Sequence, residues 1–433
     1  MEVYEYGRDN FDLLFGKLKG RSLEGRKDVE DAVSGILHNV KERGDAALVD
    51  YTQKFDGIAL NPSSLEVTKA EIDTAMISVD KKLLSVMEKA AANIRAFHEK
   101  QRENSWFMTQ ENGTILGQRI IPLNRVGVYA PAGSAPLPST VLMDVIPAKV
   151  AGVQEIILCS PPGKDRKVNP LVLACAKIAG ADRIFSVGGA QAVAAMAYGT
   201  ETLPRADKIV GPGNIYVAAA KKLVFGTCGI DMIAGPSEVL VIADETANPA
   251  YVAADLLSQA EHDRLASSIL VTTSRELAKK VEDEIKLQLA RLPRSEIASK
   301  SMEDYGAVVI ADSMEKAVEI SNIIAPEHLE ICVQDPFSLL SGIKNAGAVF
   351  LGSYSTEPLG DYFAGPNHTL PTSGTARFFS PLGVYDFVKR QSVISYSQKG
   401  FFEAADDVAA FADAEGLGAH AHAIRIRTGR EKL

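Results

Sequence analysis

From residue 125 onward short apolar runs alternate with helical runs of about ten residues, and this alternation constrains the fold more than any other feature. Val126–Ala130, Glu155–Ser160, Arg183–Val187 and Lys208–Val210 read as strands. Helices over Val141–Ala151, Leu171–Ala179, Ala190–Tyr198 and Ile215–Phe225 follow them in turn. Parallel neighbours need a crossover connection, so the pattern specifies βαβ units, parallel sheets and short right-handed links. It resumes after residue 238 with strands over Val239–Ala243, Ser268–Thr272, Ala307–Ile310, Leu329–Val333 and Ala348–Leu351. The first 120 residues read as mostly helical, with apolar residues at three- and four-residue spacing over Val29–Arg43 and Ile72–Gln101. The last fifty return to helix, most clearly over Phe402–Ala414. The simplest architecture is two α/β units with a helical start and tail.

Composition excludes several classes. Of 433 residues, 46% are hydrophobic and 23% charged, which is ordinary globular usage. A net charge of −9 without a basic run argues against nucleic acid as a partner. No apolar run approaches the ~20 residues of a membrane span, and Met1–Tyr6 lacks the basic and apolar regions of a signal peptide. Cys159, Cys175, Cys228 and Cys332 are far apart in sequence and sit in apolar surroundings. They read as buried thiols in a reducing compartment, with cytoplasm the expected location.

Ligands on open α/β sheets bind at the carboxyl ends of strands. Four stretches there are rich in Gly and Pro: Gly127–Gly133, Val187–Gln191, Val210–Asn214 and Ala234–Glu238. Each taken singly is an ordinary βα turn. Four in succession suit a phosphate-bearing ligand lying on helix N-termini, although no GxGxxG fingerprint follows the first strand.

Five of the seven histidines lie after residue 250, at His262, His328, His368, His420 and His422. Gln259 and His262 share a helix face at i and i+3, which suits a metal site or a histidine at a negative helix end. Glu327 and His328 pair a carboxylate with an imidazole at a strand edge and can divide two proton transfers between them. Asp361 and His368 fall in a long Gly/Pro-rich loop, a common location for functional residues. His38 and His98, with His420 and His422, read as surface residues when taken in isolation.

Taken together, Gln259–Asp263, Ala325–Leu329, Gly365–Thr372, Gly211–Asn214 and Glu415–His420 resemble, in order, the motifs of the histidinol dehydrogenase family. The resemblance implies two incomplete Rossmann-like parallel-sheet domains, one inserted in the other, with small helical terminal segments. Residues 1–25 would be an N-terminal arm, 26–128 with 240–382 a first domain, 129–239 a second, NAD-binding domain, and 383–433 a tail. It implies oxidation of L-histidinol to L-histidine through the aldehyde, the last step of histidine biosynthesis, with two NAD, one water and a bound zinc. Gln259, His262, Asp361 and His420 match the zinc ligands, which also contact substrate. Glu327 and His328 match the acid–base pair. Ser237, His328 and Glu415 match substrate contacts, and Tyr129, Gln191 and Asn214 match NAD contacts. His368 takes no ligand role. The family works as a homodimer with exchanged tails, so each site would borrow Glu415 and His420 from the partner. The alternative is a related zinc- and NAD-dependent dehydrogenase of another small alcohol, such as a sulfonated polyol. The tail carboxylate Glu415 favours a cationic substrate over that anionic one.

Overall fold

The computed structural model describes residues 1–5, 11–21, 26–132 and 136–429. Gly133, the last residue of the first Gly/Pro-rich turn, lies outside them. The strands in chain order are β1 (Glu2–Glu5), β2 (Trp106–Thr109), β3 (Ile115–Pro122), β4 (Arg125–Tyr129), β5 (Glu155–Ser160), β6 (Arg183–Ser186), β7 (Lys208–Val210), β8 (Gly229–Ile230), β9 (Glu238–Ala243), β10 (Ser267–Thr272), β11 (Gly306–Ile310), β12 (His328–Cys332), β13 (Ala348–Leu351) and β14 (Val388–Ser395). One sheet is ordered β1-β11-β10-β9-β12-β13 and another β6-β5-β4-β7-β8; both are parallel throughout. The second sheet interrupts the first in sequence, between β1 and β9. The chain therefore carries two incomplete Rossmann-like units, one inserted in the other.

Every residue of β9, β10 and β12 is buried, as expected of parallel strands covered by helices on both faces. On the five-stranded sheet, Val33, Leu48, Phe185 and Val193 belong to one core, and Ile94, Val141, Leu158 and Val172 to the other. The helices between Lys27 and Glu99 thus pack with this sheet, although the division at 26–128 groups them with the other one. On the six-stranded sheet, Val241, Leu256 and Val281 build one core, and Ile242, Ile320 and Leu329 the other. Residues 2–5, within the expected N-terminal arm, lie on its edge as β1, paired in register with β11.

A second unit comprises Arg102–Pro122 and Val388–Leu433. Its antiparallel sheet is ordered β14-β3-β2, and its helices span Gln398–Ala414 and Gly418–Arg425. These strands add a small antiparallel sheet to the mostly helical start and helical tail that the sequence suggests. Their side chains are mostly exposed, so no alternation of apolar and polar residues marks them. His98 is a correction. It is fully buried, with Nδ1 2.8 Å from the Ile94 carbonyl, because its helix buries the face that also carries Met87, Ala91 and Ile94.

Candidate active site

β9 and β12 run side by side with His328 opposite Val239. Glu238 opens β9, and its backbone grips both members of the expected acid–base pair. Its N–H donates to Glu327 Oε2 at 2.8 Å, and His328 Nδ1 donates to its carbonyl at 3.0 Å. A carbonyl only accepts, so the proton sits on Nδ1 and the neutral ring presents Nε2 as an acceptor. Nε2 is buried without a hydrogen-bond partner among the described residues, 3.8 Å from Asp361 Oδ1. Glu327 Oε2 stands 3.6 Å from His328 Nδ1. Burial pushes Glu327 up to about 8, with His328 opposing it. Burial works against charge on His328, but the Glu327 and Asp361 carboxylates outweigh it and favour the protonated ring; a cation that takes up the Asp361 charge would remove part of that pull and leave Nε2 free to accept. This pair lies at the amino ends of its strands, where the carboxyl-end rule gives no warning.

The helix Pro249–Ala260 runs back against the sheet, so its carbonyl end arrives at the same edge. Gln259 occupies its last turn. His262 lies beyond the helix end rather than within it, and its N–H donates to the Gln259 carbonyl at 3.2 Å. Asp361 is on a short helix, Glu357–Tyr362, where the sequence suggested an irregular loop. Donor atoms of His262, Glu357 and Asp361 all lie within 4.8 Å of one another. Gln259 is 1% exposed, and neither its amide oxygen nor its nitrogen has a partner among the described residues. A buried amide left unpaired at both ends is costly, and an ion at the adjacent cluster would accept its oxygen. This nitrogen and oxygen donor set fits zinc. Carbonyl dipoles at the helix end add to its negative potential.

Glu357 escaped the sequence reading. Its signal was the i, i+4 spacing to Asp361, hidden by Pro358 and Gly360. The two carboxyls are driven apart. Burial and the charge on Asp361 push Glu357 up to about 8. Burial also works to raise Asp361, yet His328 and His368 hold it far below the usual carboxylate range. Asp361 is therefore the ionised member and Glu357 its proton-bearing neighbour. The helix N-terminus is fixed from outside: Glu357 N–H donates to Glu330 Oε1 at 2.8 Å, and Thr356 Oγ1 donates to Asp255 Oδ1 at 2.6 Å. Glu330 is two residues after His328 on β12, so one strand face holds both. His368 Nδ1 donates to the Asp361 carbonyl at 3.0 Å and its Nε2 meets Thr140 Oγ1 at 3.2 Å, a bracing role.

The expected cofactor residues gather at the carboxyl ends of the five-stranded sheet. Tyr129 ends β4, and its hydroxyl accepts the Gly189 N–H at 3.0 Å. Gln191 is 1% exposed, and its amide oxygen lacks a partner among the described residues. Asn214 caps the helix Ile215–Val224, accepting from the N–H groups of Tyr216 and Val217 at 3.1 Å each. Gly211 follows β7 at φ +111°, where a Cβ would lie 2.2 Å from the Tyr129 carbonyl oxygen. Its carbonyl accepts from buried Lys221 at 2.8 Å, and its N–H donates to Asp231 at 2.9 Å; Lys221 and Asp231 form an ion pair. Gly211→Ala is expected to cost about 3 kcal/mol from backbone strain and overlap. Gly57→Ala, at φ +72° with open space, should cost about 1 kcal/mol. Similar unfolding midpoints for the two variants would contradict this account of the turn.

Ser237 is half-buried immediately before Glu238, and its carbonyl accepts the Ser267 N–H at 3.0 Å. Glu415 and His420 belong to the second unit and are exposed there, as is His422. Among the described residues no helix is long and apolar enough to cross a membrane.

Comparison with known proteins adds independent information. The family described as histidinol dehydrogenase matches residues 19–428. A histidinol dehydrogenase of Aquifex aeolicus is 57% identical over 409 residues, 94% of each chain. Another, from Clostridium acetobutylicum, is 55% identical over 427 residues, 99% of each. The crystal structure of the histidinol dehydrogenase from Elizabethkingia anophelis superposes with a TM-score of 0.92 at 40% identity, covering 99% of this chain and 98% of that one.

Proposed function

The chain belongs to the histidinol dehydrogenase family and is an oxidoreductase; from that premise we propose that it oxidises L-histidinol to L-histidine through L-histidinal, using two NAD and one water. The observation that carries this reading is the buried Glu327–His328 pair, held by the backbone of one residue beside the Gln259, His262 and Asp361 donors. In the first oxidation, His328 Nε2 takes the hydroxyl proton as hydride leaves the carbinol carbon for NAD. In the second, Glu327 takes a proton from the water that adds to the aldehyde, and a second hydride leaves the hydrate. One alcohol and one water thus yield a carboxylate, two NADH and three protons. Burial shields the aldehyde between the steps.

Zinc held by Gln259, His262, Asp361 and His420 would supply a fixed positive charge that orients the imidazole and amino nitrogens of the substrate. Its donor set fits because Asp361 is ionised and the Gln259 amide is unpaired. Tyr129, Gln191 and Asn214 would receive NAD, which accepts the hydrides. The unpaired Gln191 oxygen and the close backbone approach at Gly211 support a ligand there. Residues 129–239 would then be the NAD-binding domain. Ser237 and Glu415 would hold the substrate, Glu415 through its ammonium group. Glu415 and His420 would come from the tail of a partner subunit in a homodimer. The second unit leaves Trp106, Phe107, Ile394 and Phe411 each at least half exposed, which favours an apolar partner surface. A cytoplasmic location fits this chemistry.

The test is the yield of NADH per L-histidinol on zinc-loaded protein, against a panel of other alcohols including a sulfonated polyol. Two NADH per histidinol, lost on chelation, are expected. No turnover of histidinol with turnover of the anionic alcohol would transfer the chain to the alternative substrate.

A further inference from the structure

The backbone of Glu238 holds both members of the acid–base pair, so whatever fixes Glu238 fixes them. Its side chain points to Arg21. It is buried and forms an ion pair with Arg21, which is also buried. Arg21 lies 217 residues earlier in the chain, just after the helix Phe11–Lys19. Its second terminal nitrogen donates to the Leu265 carbonyl at 2.8 Å. Leu265 lies in the Asp263–Ala266 turn that follows His262 directly, so one guanidinium reaches the scaffold of the proton-transfer pair and the segment next to a metal-ligand candidate. Tyr305 lies beneath it, with the guanidinium carbon 5.5 Å from the ring centroid.

We propose that Arg21 is a positioning residue for the reaction, its fork holding Glu238, and through it Glu327 and His328, in register with the turn that follows His262. The inference rests on the acid–base roles given above. Guanidinium suits this task because it is planar and presents donors in fixed directions to two acceptors. An ammonium can neutralise Glu238 but holds no such fork. Burial favours the neutral form of Glu238 and the Arg21 charge opposes it, so the ion pair also keeps an acceptor available at that point. Residues that orient catalytic groups without touching substrate commonly control their geometry, and a displacement of about 1 Å can cost ~10²-fold in rate.

The test compares wild type, Arg21→Met, Arg21→Lys and the double variant Arg21→Met/Glu238→Gln as full-length, zinc-loaded proteins. The double variant removes both charges, so it folds without an unpaired buried carboxylate. Arg21→Met should lower kcat for NADH formation by ~10²-fold while KM for NAD stays within about twofold, since the cofactor turns are on the other sheet. Arg21→Lys should recover part of the loss. The double variant should fold with a wild-type unfolding midpoint yet remain slow. Full recovery of kcat in the double variant would reduce Arg21 to neutralising a buried charge and overturn the proposal. So would a wild-type kcat in Arg21→Met. A wild-type chain that leaves histidinol untouched would instead remove the functional reading on which the proposal stands.

Discussion

Glu327→Gln should release the first NADH per histidinol at close to the wild-type rate and the second ~10²-fold or more slowly. The reason lies in how the two groups are held. His328 commits Nδ1 to the Glu238 carbonyl, which leaves Nε2 as the proton acceptor whatever stands at 327. An amide at 327 cannot take a proton from water, so the aldehyde stage stalls. The amide can still accept the Glu238 N–H through its oxygen, so the scaffold is preserved. His328→Gln should slow the first stage and hence both. Stopped-flow absorbance in a single turnover separates the stages: wild type should approach two NADH per histidinol, Glu327→Gln about one. Equal losses in both stages would refute the assignment of water activation to Glu327. The same carboxyl gives a pH signature. Burial raises it to about 8, so its basic form, and the second-stage rate, should grow as pH rises toward that value. Glu327→Gln should lose that limb of the profile.

How much of this was visible in the residues depends on what each feature leaves in a sequence. The parallel strands were legible because burial on both faces forces continuous apolar runs, as in Val239–Ala243 and Ile156–Cys159. β2, β3 and β14 were not, because β2 and β14 are mostly exposed and β3 is half-buried, so neither face imposes a pattern; even Trp106 and Phe107 are about half exposed. His98 looked polar from its neighbours Arg95, Glu99 and Lys100, yet helical spacing turns it inward. The expected site residues of the first unit do converge in two places, the amino edge of the six-stranded sheet and the carboxyl edge of the five-stranded one. The choice of edge was invisible, since it depends on the helix Pro249–Ala260 bringing Gln259 back to the start of β12. Glu357 and Glu330 carried no motif. Their significance comes from burial and from fixing the helix that presents Asp361, which only the packed chain displays.

Asp361→Ala should abolish both zinc retention and NADH formation, and it is the second large effect the site predicts. Among the clustered donors, burial favours the neutral form of His262, and burial with the charge on Asp361 favours the protonated form of Glu357. That leaves Asp361 as the ionised donor of the cluster, and its loss would remove the negative charge that draws a divalent cation inward. Changes next to a metal site cost about 10–100-fold in affinity, so loss of this ligand should exceed ~10²-fold. Glu357→Gln makes the contrast. An amide replaces a carboxyl that already carries its proton, so zinc affinity should fall by less than ~10-fold. Elemental analysis after dialysis against a graded chelator series reads both values. Thermal unfolding supplies the control, because a ligand that binds only the folded chain stabilises it by mass action. Zinc should raise the midpoint of wild type and Glu357→Gln, and leave Asp361→Ala at the midpoint of the metal-free wild type. The helix bearing Asp361 is anchored through Glu330 and Asp255 rather than through the ion, so metal-free protein should stay folded and regain activity when zinc is restored. Full zinc occupancy in Asp361→Ala would overturn its place among the ligands.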